Sequence, residues 1–155
     1  MVISMMPLCG QTGHEVGRKL LSQLYEGCIG GEMPEILITH RGKPYFAKGP
    51  HFSISHTKEM AFCALSDRPV GIDAEPMDRD IDLRLADKIL SPGEKAQFDA
   101  AEDQRLALLT FWVLKEAAAK CTGDGLRGYP NKTKFSLNDP RVKEINDHLV
   151  AIIEE

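Results

Sequence analysis

Two carboxylates stand two residues apart in Val70-Gly71-Ile72-Asp73-Ala74-Glu75. On a strand, residues two apart project from one face, so Asp73 and Glu75 lie side by side while Ile72 and Ala74 turn to the other. Carboxylates this close repel unless a cation lies between them. Oxygen-only donors suit Mg²⁺, which takes one or two protein carboxylates and completes its shell with water and phosphate oxygens. The same spacing also describes a solvated strand end with two surface acids.

A second group lies in Trp112-Val113-Leu114-Lys115-Glu116-Ala117-Ala118-Ala119-Lys120. Glu116 and Lys120 are four apart and share a helix face, as an ordinary surface ion pair does. A third combines Gly42-Lys43-Pro44 with Phe52-Ser53-Ile54-Ser55-His56-Thr57. Lys43 on a tight loop is a point charge for phosphate, and a serine or histidine can donate to phosphate oxygens. Ser55 and His56 are adjacent, so their side chains diverge on a strand. With no G-x-S-x-G elbow, a serine hydrolase is not indicated. Neither a Walker A sequence nor G-x-G-x-x-G is present.

The elements that must position these groups follow from capping and periodicity. Thr12-Gly13-His14-Glu15 is a capping box, and Val16, Leu20, Leu21 and Leu24 recur at helical spacing, which predicts a helix over 13–26 stopped by Gly27. Strands are expected at 36–39, 51–56, 60–65 and 69–75, with a loop at 40–44. The period then changes. A helix is expected over 81–90, another starts at the Ser91-Pro92-Gly93-Glu94 box, and a long one covers 103–121, ended by Gly123 and Gly125. The last strand candidates are 134–137 and 148–153. Strands, then helices, then strands predict an α+β fold and not a doubly wound parallel sheet.

Composition narrows the function classes. The chain has 155 residues, 27% charged and 43% hydrophobic, with a formal net charge of −4. These are the proportions of a globular domain, and the mild acidity argues against a nucleic-acid partner. No apolar run approaches the length that spans a bilayer, and the N-terminus does not read as a signal peptide, so no membrane partner is expected. Cys9, Cys28, Cys63 and Cys121 form no C-x-x-C pair; the expectation is free thiols in a cytoplasmic protein. Residues 71–104 hold 10 acidic and 4 basic groups, and residues 105–134 hold 6 basic and 2 acidic. That pairing suits a metal and a phosphate sharing a site, or two solvated helix faces.

In this order, the Gly42-Lys43-Pro44, Phe52–Thr57, Gly71–Glu75, Glu94 and Phe111–Lys120 segments resemble the motif series of the 4′-phosphopantetheinyl transferases. The similarity is to the surfactin-synthetase-activating type and covers about residues 13–137. The resemblance implies two α+β halves related by a pseudo-two-fold axis. Here these would be residues 1–68 and 69–155 of a single domain, the first half incomplete.

It implies transfer of the 4′-phosphopantetheine arm of coenzyme A to a serine of an apo carrier protein, with Mg²⁺, releasing 3′,5′-ADP. Asp73, Glu75 and Glu116 would be the metal ligands, and Glu116 also the base, directly or through water. Lys120 would neutralise the pyrophosphate, with Lys115 among the lysines around it. Lys43, Ser55 and His56 would hold phosphates of coenzyme A, and Glu94 matches a further acid near the metal.

Ser53 stands where the family commonly has Asn, and no Lys or Arg precedes Arg18. Arg18, Arg41 and Lys43 are then the cations left for the 3′-phosphate. An unpaired edge in the first half would invite a homodimer. A non-catalytic coenzyme A or nucleotide-binding relative, or a purely structural dimer subunit, are the readings from other classes.

Overall fold

A computed structural model describes residues 1–125 and 134–155. In chain order the elements are β1 (Val2–Pro7), α1 (Gly13–Cys28), β2 (Ile36–Ile38), β3 (Pro44–Phe46), β4 (His51–His56), β5 (Met60–Ser66) and β6 (Val70–Pro76). Then come α2 (Ala86–Ile89), α3 (Pro92–Asp99), α4 (Gln104–Thr122), β7 (Val142–Ile145) and β8 (His148–Glu154). Helices and antiparallel sheets are mixed along the chain, as the α+β expectation has it. Among the described residues no helix is long and apolar enough to cross a membrane.

Two three-stranded sheets repeat one plan. The path β1, α1, β4, β5 gives the strand order β1-β5-β4, and the path β6, α4, β7, β8 gives β6-β8-β7. In each, the last strand of the path is the central one. The β2–β3 hairpin interrupts the first path, and α2 with α3 interrupts the second.

Strand alternation then builds the layers. Cys63 and Leu65 of β5 face α1, where Leu20, Leu21 and Tyr25 pack with Phe46 and Phe52. Phe62 and Ala64, one residue out of phase, face the second sheet and meet Ile72, Ala74, Val150 and Ile152. Leu149, Ala151 and Ile153 face α4, against Leu108, Phe111 and Leu114. The stack therefore runs helix, sheet, sheet, helix.

Along one side the two sheets are joined by side chains. The Ile72 N–H donates to Ser53 Oγ at 3.1 Å and the Ala74 N–H donates to Ser55 Oγ at 3.2 Å. These serine hydroxyls on β4 stand where a neighbouring strand would offer carbonyls, and they satisfy the outer amides of β6.

Several expectations are corrected. The N-terminal residues form β1, paired with β5 from Val2 opposite Leu65 to Pro7 opposite Met60. β5 is thus the central strand of its sheet, with β1 and β4 at the edges. The helix expected over 81–90 is a 3₁₀ turn, Leu83–Leu85, running into the short α2. The helix expected to stop at Gly27 continues to Cys28.

Residues 134–137 are not a strand. The Phe135 N–H donates to Glu94 Oε1 at 2.9 Å and the Leu137 N–H to Gln97 Oε1 at 3.1 Å, so side chains of α3 replace a ladder there. The second strand of the final hairpin was expected but its partner β7 was not. The two are joined by Asn146 and Asp147, with φ of 48° and 58°, the left-handed pair a tight two-residue hairpin requires.

Candidate active site

Helix α4 lies unusually close to β6. A Cβ on Gly71 would sit 1.9 Å from the Ala117 carbonyl oxygen and 2.5 Å from the Cys121 nitrogen, so only glycine fits. From this contact Asp73 and Glu75 climb the same face of β6 toward α4, as the strand spacing predicts. The strand is buried from Val70 to Ala74, which excludes the solvated strand end.

Asp73 is 5% exposed. Its Oδ1 accepts from Ser55 Oγ at 3.1 Å and from Lys120 Nζ at 2.7 Å. Its Oδ2 is buried with no hydrogen-bond partner among the described residues. Glu75 pairs through Oε1 with Arg79. Burial pushes the Glu75 carboxyl up; Arg79 pulls it back, Asp73 adds to the rise, and a hydrogen bond from Trp112 opposes it. Burial likewise raises Glu116, and the charges of Asp73 and Glu75 add to it against Lys120 and Arg79. The charge of Asp73 thus disfavours the charged forms of Glu75 and Glu116, which a bound cation would favour. Among the described residues no three His, Cys, Asp or Glu side chains stand gathered as a finished ligand set. Lys120 and Arg79 occupy oxygens of Asp73 and Glu75 instead. The acceptor left over is Asp73 Oδ2, and carboxylate oxygens of this kind suit a hard divalent cation.

Two hollows flank this group. The smaller, about 260 Å³, is lined by Arg41, Lys43, Ser53, Ile54, Glu116 and Lys120 among others. Its cations are held from below: the Lys43 ammonium donates to the Cys121 carbonyl at the end of α4, and Arg41 pairs with Asp124. A rim of two lysines and an arginine suits phosphate oxygens. The larger, about 1260 Å³, is lined by Thr12, Gly13, His56, Lys58, Glu75, Arg79 and His148 among others. The His56 ring lies where a Cβ of Gly13 would be, so the start of α1 packs directly on it.

The remaining expected residues are placed elsewhere. Ser55 lies against Asp73, with its hydroxyl engaged on both sides. Arg18 is exposed on α1 and lines neither hollow. Glu94 and Lys115 are not brought to the carboxylate group. They form their own ion pair at 2.8 Å, with side chains 1% exposed. Glu94 also accepts from the Ser91 N–H at 2.8 Å and from Phe135 N–H, closing the cap of α3. Burial lowers the Lys115 ammonium, and Glu94 opposes that shift. Two residues escaped the sequence reading. Arg79 spans Glu75 and the Trp112 ring, 5.3 Å from its centroid. Arg105 donates to the Met77 and Arg79 carbonyls at 2.7 and 3.2 Å, fixing the segment after β6. Their only sequence signal is that both are basic residues near the acidic stretch.

Comparison with known proteins places this arrangement. The sequence profile of the 4′-phosphopantetheinyl transferase superfamily matches residues 69–151. The 4′-phosphopantetheinyl transferase gsp of Aneurinibacillus migulanus is 36% identical over 87 residues, 55% of this chain and 36% of that protein. The 4′-phosphopantetheinyl transferase psf-1 of Bacillus pumilus is 37% identical over 89 residues, 55% of this chain and 38% of its own. The 4′-phosphopantetheinyl transferase HetI of a Nostoc species is 32% identical over 121 residues, 71% of this chain and 51% of its own. The chain thus spans between about a third and a half of these relatives' length.

Proposed function

Because the chain belongs to the 4′-phosphopantetheinyl transferase superfamily, we propose that it transfers the 4′-phosphopantetheine arm of coenzyme A to a serine of an apo carrier protein, with Mg²⁺, releasing 3′,5′-ADP. The observation that carries this reading is the buried, unpartnered Asp73 Oδ2 beside Glu75 and Glu116, next to a hollow rimmed by Lys43, Arg41 and Lys120.

Asp73, Glu75 and Glu116 would hold the cation, which when bound supplies charge neutralisation to the diphosphate. Lys43 and Arg41 bind phosphate groups of coenzyme A in the smaller hollow. Glu116 accepts the proton of the carrier serine, whose Oγ forms a bond to the pantetheine-side phosphorus. The bond from that phosphorus to the bridging oxygen breaks, and Lys120 neutralises the charge that gathers on the departing 3′,5′-ADP. The larger hollow, on the Glu75 side, admits the arm and the carrier serine. Such a transfer is mostly positioning and electrostatics, which these groups supply. The domain is read as one unit, residues 1–155, with halves 1–68 and 69–155. The four free cysteines fit a cytoplasmic setting.

The test incubates the chain with coenzyme A, Mg²⁺ and a panel of apo carrier proteins and weighs the intact carriers. A carrier heavier by one phosphopantetheine arm, with loss of the product on chelation of Mg²⁺, is the expected result. Coenzyme A binding without transfer to any carrier would overturn the proposal in favour of a non-catalytic relative.

A further inference from the structure

Ser55 does something that its place in the Phe52–Thr57 motif does not explain. Its Oγ accepts the Ala74 N–H at 3.2 Å, and its one hydroxyl proton goes to Asp73 Oδ1 at 3.1 Å. A backbone carbonyl in that position could accept from the amide but could not donate to the carboxylate; a hydroxyl does both. Lys120 Nζ takes the same Oδ1 at 2.7 Å. Two donors therefore grip one oxygen of Asp73, and the other, Oδ2, is left buried without a partner among the described residues.

Ser53 provides the internal comparison. It lies on the same strand and the same face, where it also lines the smaller hollow, and its Oγ accepts the Ile72 N–H at 3.1 Å in the same way; among the described residues it donates to no carboxylate.

We propose that Ser55 is a positioning residue, whose hydroxyl fixes the Asp73 carboxylate with Oδ2 turned toward the cation position. It does not hold a phosphate of coenzyme A, because its proton and the lone pair facing β6 are already engaged. The inference rests on the metal reading above. Groups that orient metal ligands in this way change metal affinity by about 10–100-fold when removed.

The experiment compares Ser55→Ala with Ser53→Ala in the full chain. Each variant loses the acceptor of one β6 amide and Ser55→Ala loses the Asp73 bond as well, so Ser55→Ala is expected to melt at or a little below Ser53→Ala. Only Ser55→Ala should raise the Mg²⁺ dissociation constant by calorimetry, about tenfold, and the Mg²⁺ concentration giving half-maximal transfer with it. Its KM for coenzyme A should stay within about twofold, which a phosphate-binding role would not allow. Crystals of both variants should show the Asp73 carboxylate rotated in Ser55→Ala alone.

An unmoved Asp73, equal Mg²⁺ constants for the two variants, or a rise in the coenzyme A KM with Mg²⁺ affinity intact would each overturn the inference. If the unaltered chain neither binds Mg²⁺ nor transfers, it is the functional reading that fails, and the Asp73 orientation in the crystals still decides the role of Ser55. Should Ser55→Ala not fold, Ser55→Cys, with a similar volume and a weak donor, reads the same quantities.

Discussion

Helix α4 carries two lysines, and each meets a carboxylate from an earlier element. Lys115 meets Glu94 with both side chains 1% exposed, and Glu94 also receives two backbone amides. Lys120 meets Asp73 with the lysine side chain 32% exposed and one carboxylate oxygen left over. The first pair closes on itself: the Glu94 oxygens are taken by Lys115, by the cap of α3 and by the Phe135 amide. The second is open, with a buried valence on one side and a cation-rimmed hollow on the other. A closed buried pair holds a structure together, whereas an open one is available to something that arrives later. Both are acid–lysine pairs on one helix, so residue type and spacing do not separate them; the count of satisfied oxygens does.

The largest expected effect is on the closed pair. Glu94→Ala breaks this buried ion pair and takes the acceptor from the Ser91 and Phe135 amides, and should destabilise the fold by about 3–5 kcal/mol in urea denaturation. The double change Glu94→Leu with Lys115→Met should recover part of that loss, because both members of the ion pair are then apolar. It should retain the loss of about 1–3 kcal/mol from the orphaned amides of Ser91 and Phe135. A loss under about 1 kcal/mol for Glu94→Ala would break the comparison from that side.

On the open pair the order reverses. Asp73→Ala should lower transfer by about 10²–10³-fold in single-turnover assays, while stability changes by no more than about 1 kcal/mol, because Lys120 can return to water. Wild-type transfer by this variant in Mg²⁺ would remove Asp73 from the site. Glu116→Ala and Lys120→Ala should each slow transfer by roughly a hundredfold, with unfolding midpoints close to the parent. Near-native rates in both would remove Glu116 and Lys120 from the site. The smallest effect belongs to Arg41 and Asp124, whose side chains are 53% and 60% exposed. Asp124→Asn should shift stability by well under about 1 kcal/mol, and high salt should erase the difference.

What the sequence made legible is what short-range rules govern. The Thr12–Glu15 and Ser91–Glu94 boxes form as their spacing requires. Asp73 and Glu75 share a face because β6 is a strand. The strands β1, β3 and β7 were not legible. β1 is set by pairing with β5, more than fifty residues away in the chain; β3 is only three residues long, in a stretch opened by proline. For β7 a signal existed in the Asn146-Asp147 turn. In the site, the side-chain joint at Ser53 and Ser55 depends on two strands meeting without a ladder, and Arg79 on a loop held by Arg105. Neither leaves a periodic trace. The separation of Lys115 from Lys120 was illegible for the same reason: it depends on which carboxylate each helix face meets.

The Gly71 contact has a mechanical consequence. With the Ala117 carbonyl oxygen 1.9 Å from where a Cβ would stand, α4 already rests against the floor of β6. No smaller side chain exists, so the height of the helix cannot be adjusted downward, and any substitution acts as a wedge that lifts it. Ala117 and Cys121, the residues touching the floor, alternate along the helix with Glu116 and Lys120, so a lift there carries both functional groups away from Asp73 together. The spacing between strand and helix chemistry is thereby pinned at a mechanical stop, which sequence change at position 71 can leave in only one direction.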